Sequence, residues 1–89
     1  MAYSVYMVRC ADGTFYTGIA VCVARRIAQH NGARPRGARY TAARRPVSLV
    51  YAAEAATRSD ALKAEARIKR LPRAAKERLI AGILDLAVA

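Results

Sequence analysis

The stretch Tyr3-Ser4-Val5-Tyr6-Met7-Val8-Arg9-Cys10-Ala11-Asp12-Gly13-Thr14-Phe15-Tyr16-Thr17-Gly18-Ile19-Ala20 decides the fold. Tyr3 to Val8 is mostly apolar, aromatic or β-branched at both alternating positions, which suits a central strand covered on two sides. Thr14 to Ala20 resumes strand character after Ala11-Asp12-Gly13, so the two form a hairpin. A two-residue Asp12-Gly13 loop would pair Ala11 with Thr14 and put Tyr6 and Tyr16 on opposite faces. A three-residue loop with Gly13 left-handed pairs Cys10 with Thr14, sets Tyr6 opposite Gly18, and brings both tyrosines to one face. The three-residue loop is the prediction.

Beyond the hairpin, Cys22 to His30 reads as a helix stopped by Asn31-Gly32. Its stripe of Val23, Arg26, Ile27 and His30 places two polar residues where packing residues normally stand. Gly32 to Arg45 is a basic connection, expected to be mobile near Gly32 to Gly37. Pro46 opens a third strand through about Ala53, with Val47, Leu49 and Tyr51 alternating against Ser48 and Val50. Thr57-Arg58-Ser59-Asp60 matches a capping box for a helix running to about Leu71. Pro72 then fits the first turn of a last helix with the stripe Leu79, Ile80, Ile83 and Leu84. On the preceding helix Glu65 is flanked by Leu62, Ile68 and Lys69, and a carboxylate at a core-facing position needs a cation or several donors beside it.

At 89 residues the chain is one domain, 1–89, with room for one core. Sixteen Lys plus Arg against six Asp plus Glu give a formal charge of +10, which points to phosphate as the partner. Most of the cations are Arg, whose planar fork grips phosphate oxygens in pairs. Cys10 and Cys22 lack the number for a disulfide framework and the spacing of a zinc site, so both are read as reduced. No apolar run is long enough to span a bilayer and Met1 to Arg9 carries no leader pattern, so a cytoplasmic protein without membrane association is expected. No obligate protein partner is evident.

Singly, each polar residue has an ordinary reading. Tyr6 and Tyr16 suit a core, Arg26 a solvated helix face, His30 a helix C-terminus, and Glu65 an i, i+4 pair with Lys69. In order along the chain they resemble the GIY-YIG nuclease superfamily, in its small stand-alone bacterial branch. Ser4-Val5-Tyr6 matches the first motif, Tyr16-Thr17-Gly18 the second, and Arg25-Arg26-Ile27-Ala28-Gln29-His30 the helix that follows. Gly37-Ala38-Arg39-Tyr40-Thr41, Arg44-Arg45-Pro46-Val47 and the Ala61 to Lys69 helix continue the likeness over about residues 3–80. Ser4 stands in place of the first motif's glycine, Cys22 where relatives often have a capping Asp, and no counterpart of a late asparagine of larger members is present.

The resemblance implies an α+β fold, a three-stranded antiparallel sheet flanked by helices in the order β-β-α-β-α-α. It implies a metal-dependent endonuclease hydrolysing phosphodiesters in DNA, in repair or nucleic-acid turnover. Glu65 would hold one Mg²⁺ or Mn²⁺, Arg26 would stabilise charge on the phosphate, and Tyr6, Tyr16 and His30 are the candidates for general base. Arg34, Arg36, Arg39, Arg44 and Arg45 would bind nucleic acid non-specifically and with steep salt dependence. Tyr40 would stack a base of a single-stranded or branched substrate. The rival readings are a non-catalytic nucleic-acid-binding module of the same fold, and a small structural protein of a ribonucleoprotein particle.

Overall fold

In the computed structural model, which describes residues 2–33 and 37–86, the hairpin takes the three-residue form. The strands are β1 (Tyr3–Arg9) and β2 (Phe15–Ala20). Tyr6 lies opposite Gly18 and Val8 opposite Tyr16, which puts both tyrosines on one face. The Cys10 N–H donates to Thr14 O at 2.8 Å and Gly13 takes φ +84°, a left-handed conformation glycine adopts without a Cβ penalty. The Asp12 carboxylate fixes the turn by accepting from the Thr14 N–H at 3.1 Å and the Thr14 hydroxyl at 2.6 Å.

β1 is the middle strand of an antiparallel sheet ordered β2-β1-β3, with β3 spanning Ser48–Ala55. Its central position explains its continuous apolar run. Val5 and Met7 face one core with Ile68 and Leu79, while Tyr6 and Val8 face another with Cys10 and Val47. The helices are α1 (Val23–His30), α2 (Arg39–Ala42), α3 (Arg58–Arg70) and α4 (Arg73–Ile80). The element order is the expected one with α2, a single turn, added inside the basic connection.

Cys22 is the N-cap of α1 and supplies no side-chain bond, as a thiol in place of a carboxylate would. At the other end Gly32, at φ +114°, closes a Schellman arrangement in which the Ala33 N–H reaches Ala28 O at 2.9 Å. The Thr57 hydroxyl caps α3 by accepting from the Asp60 N–H at 3.1 Å.

Five expectations are corrected. The third strand begins at Ser48, because the backbone of Val47 is already paired by the Asn31 side chain: its N–H donates to Asn31 Oδ1 at 2.7 Å and its carbonyl accepts from Nδ2 at 3.0 Å. The simple alternation of β3 is broken by a bulge, since Met7 pairs with Tyr51 but Val8 with Leu49. Val50 and Tyr51 therefore both pack on the Met7 core, and Leu49 is 46% exposed.

On α3 the buried stripe is not Leu62 and Lys69 but Ala61, Ala64 and Ile68, at i, i+3 and i+7. Small alanines let this helix lie close on a sheet face that is itself bulky with Val5 and Met7. Pro72 is the N-cap of α4 and not a first-turn residue. That helix stops at Ile80 before Gly82 at φ +77°, so Ile83 lies beyond it and is 76% exposed. Leu79 is buried and Leu84 packs beside the core as expected. The expected mobility around Gly32 to Gly37 falls partly on residues 34–36, outside the described residues.

Candidate active site

The site is built on the β1–β2 face covered by α1. The Tyr6 ring lies against Gly18, its direct partner on β2, and only glycine at position 18 permits this: a Cβ there would stand 2.7 Å from the phenol oxygen and 2.9 Å from Cζ. The second motif's glycine is thus a steric cradle for the first motif's tyrosine.

α1 delivers Arg26 and His30 one turn apart on the stripe read from the sequence. His30, the last residue of the helix, is fully buried, and its Nε2 lies 2.6 Å from the Tyr6 hydroxyl. Tyr16 meets the same imidazole edge-on at 5.2 Å between centroids. Arg26 is half-buried and donates to Gln29 Oε1 at 3.0 Å. Beside it, at the end of β2 and the start of α1, opens a cleft of about 320 Å³ lined by Ala20, Cys22, Arg25, Arg26 and Gln29.

Burial raises the Tyr6 phenol above its ordinary 10.0, an effect that hydrogen bonding from Arg26 partly offsets. Burial, and then the Arg26 charge, lower His30 below its ordinary 6.5. Both groups are therefore neutral at pH 7, a phenol against an unprotonated imidazole.

Glu65 comes from α3, whose buried residues pack on the opposite sheet face. Its side chain is 19% exposed and lies 3.4 Å from Lys69 Nζ, the ordinary i, i+4 pairing. Its charge adds to the upward shift of Tyr6, so the carboxylate acts electrostatically on the cluster that Tyr6, Tyr16, Arg26 and His30 form. Among the described residues no group of three or more His, Cys, Asp and Glu could cage a metal. A single carboxylate does suit Mg²⁺ or Mn²⁺, which keep several waters and take substrate phosphate oxygens as ligands.

The expected binding residues divide. Arg39 and Tyr40 are exposed. Arg44 is engaged by the fold, donating to Asp12 Oδ2 at 3.1 Å and Tyr40 O at 2.8 Å. Arg45 Nε donates to the His30 carbonyl at 3.0 Å. Tyr40 stacks on Tyr16 at 5.8 Å and carries the Arg44 guanidinium 4.0 Å from its ring centre, so an incoming base would compete with contacts already made. Arg34 and Arg36 lie outside the described residues.

Sequence reading missed Thr41 and Gly37, which complete the surroundings of His30. Thr41 is fully buried with Oγ1 2.8 Å from His30 Nδ1, and a Cβ on Gly37 would stand 2.6 Å from both His30 Cα and Nδ1. Their signal was the short Gly37 to Thr41 motif, in which a threonine among arginines does not announce burial.

This sheet, with paired tyrosines over a glycine and an Arg–His helix behind them, is the arrangement of a GIY-YIG catalytic domain, and the model of that family matches residues 2–78. The chain belongs to the GIY-YIG family. Within it the similar proteins are small UPF0213 members: that of Desulfotalea psychrophila is 52% identical over 79 residues, covering 89% of this chain and 71% of the relative. A UPF0213 protein of Halobacterium salinarum is 46% identical over 86% of this chain and 97% of its own length. The solution structure of a UPF0213 protein from Bacillus halodurans superposes with a TM-score of 0.58 at 33% identity, covering 91% of this chain and 84% of that one. A solution structure of an E. faecalis protein gives 0.62 at 35% identity over 92% and 85%. Among the described residues no helix is long and apolar enough to cross a membrane.

Proposed function

We propose that the protein is a divalent-metal-dependent endonuclease acting on DNA, with Tyr6 and His30 together accepting the proton of the attacking water. The observation that carries this reading is the buried 2.6 Å hydrogen bond between Tyr6 and His30, one helical turn from Arg26.

A lone tyrosine is a poor base at neutral pH because its phenolate is too costly, and burial of Tyr6 makes it costlier. The pair avoids that cost. As Tyr6 takes a proton from water it passes its own to His30 Nε2, so no free phenolate has to persist. His30 is fully buried and can act only through Tyr6. Tyr6 is itself 1% exposed, so movement of the neighbouring Arg26 onto a phosphate is the step that gives water access to the phenol. Arg26 then neutralises charge on the pentavalent phosphorus while Tyr16 lines the site. Glu65 would hold Mg²⁺ or Mn²⁺, which when bound supplies further charge neutralisation at the phosphate oxygens. The +10 charge supplies affinity for the backbone without sequence preference.

The test is cleavage of labelled single-stranded, duplex and branched DNA with Mg²⁺, Mn²⁺ or EDTA, comparing wild type with Glu65→Ala at matched salt. Metal-dependent products from wild type alone, with affinity retained in the variant, support the nuclease. Binding without products in either protein supports a non-catalytic nucleic-acid-binding module.

A further inference from the structure

The imidazole of His30 has two partners, and its use as a proton acceptor depends on which nitrogen carries its hydrogen. A solvated neutral histidine favours the proton on Nε2. In that form the nitrogen facing Tyr6 is a donor and cannot take the phenol's proton.

We propose that Thr41 is a positioning residue that holds His30 in the opposite tautomer, with the hydrogen on Nδ1 and the Nε2 lone pair aimed at Tyr6. The hydrogen-bond chain assigns it. Thr41 Oγ1 lies 2.9 Å from the Ala38 carbonyl, which can only accept, so the single hydroxyl proton of Thr41 is committed there. The 2.8 Å contact between Thr41 Oγ1 and His30 Nδ1 then requires the hydrogen on Nδ1. Nε2, 2.6 Å from the Tyr6 hydroxyl, is left as the acceptor. The Ala38 N–H approaches Nδ1 from 3.4 Å and favours the other tautomer, but that distance is long for a hydrogen bond and the two shorter contacts outweigh it.

The segment is built around the ring. Thr41 and His30 are both fully buried, so water does not compete for either bond. The Gly37 N–H donates to Gln29 O at 3.0 Å, drawing the loop so close that only glycine clears the imidazole. The short helix α2 thereby carries Thr41 to the far side of the ring. Proton transfer from Tyr6 to Nε2 breaks the O–H bond, forms N–H, and leaves an imidazolium whose Nδ1–H remains donated to Thr41.

This inference rests on the reading of Tyr6 and His30 as a proton-accepting pair, but its test does not. The chain has one histidine, so ¹⁵N labelling of the imidazole gives two ring resonances with no assignment ambiguity. In the wild-type protein, at a pH where the ring is neutral, Nδ1 is expected at a protonated, pyrrole-like shift and Nε2 at an unprotonated, pyridine-like one. Thr41→Val, nearly isosteric but without the hydroxyl, is expected to move the two shifts towards each other or exchange them. Thr41→Ser is expected to restore the wild-type pattern. A wild-type Nε2–H tautomer, or a Thr41→Val pattern identical to wild type, would overturn the proposal. In the cleavage assay Thr41→Val is expected to lower kcat at least tenfold with KM unchanged, and Thr41→Ser to recover it. Absence of cleavage by wild type with the expected tautomer would sink the nuclease reading and leave the tautomer assignment standing.

Discussion

A Cβ on Gly18 would stand 2.7 Å from the Tyr6 hydroxyl oxygen, closer than real Cβ contacts come. Gly18→Ala should therefore push the phenol off His30 and not merely stiffen β2. Overpacking of this kind costs about 1–3 kcal/mol. Urea unfolding should report that loss, and cleavage should fall by far more than the unfolded fraction explains. Retention of full activity would show that the tyrosine does not need its observed place.

Asn31 acts as a side-chain substitute for a strand neighbour, bonding both polar backbone groups of Val47. Asn31→Ala leaves a buried residue's N–H and carbonyl without these partners, and is expected to cost about 1–3 kcal/mol. The measurement is the urea midpoint. Amide exchange at Val47 should quicken in the same variant, which a general loosening confined to α1 would not produce.

The lowered pKa of His30 gives stability a pH dependence of known sign. Its folded value lies below the ordinary 6.5, so as pH falls through and below about 6.5 the unfolded chain binds a proton that the folded one resists. This contribution is complete above that value and declines as the solution is acidified. Asp12, held low first by hydrogen bonds from Thr14, adds a contribution that is complete above its ordinary 3.8 and is lost only as the pH falls below that value. Urea midpoints measured from about pH 8 to about pH 5 should fall for wild type and lose that slope in His30→Gln.

The arginines should separate into binders and braces. Arg39 is exposed, and Arg39→Ala is expected to weaken DNA binding and lower the salt slope by about 0.9 for each phosphate the side chain neutralises, with stability unchanged. Arg45 ties the His30 carbonyl to the start of β3's approach, so Arg45→Ala should cost stability as well, about 0.5–1.5 kcal/mol. Titrating both variants at several salt concentrations, alongside urea unfolding, distinguishes the two roles.

The hairpin, its register and the shared face of Tyr6 and Tyr16 were determined by sequence alone, because a three-residue turn with glycine in the left-handed position leaves one pairing. The caps at Thr57 and Gly32 were equally local, each a bond within a few residues. Strand and helix periods paired Tyr6 with Tyr16 and Arg26 with His30, and the resemblance to the GIY-YIG superfamily joined the two pairs into one site. Only the tertiary structure decided the rest. Which residues of α3 are buried depended on how closely it lies on Val5 and Met7, and the bulge in β3 on how that strand meets β1. That Arg44 and Arg45 also brace the fold was not legible, because their carboxylate and carbonyl partners are remote in sequence. Thr41 was illegible for the same reason: its importance lies in two hydrogen bonds, one of them to a ring eleven residues away, that no local pattern encodes.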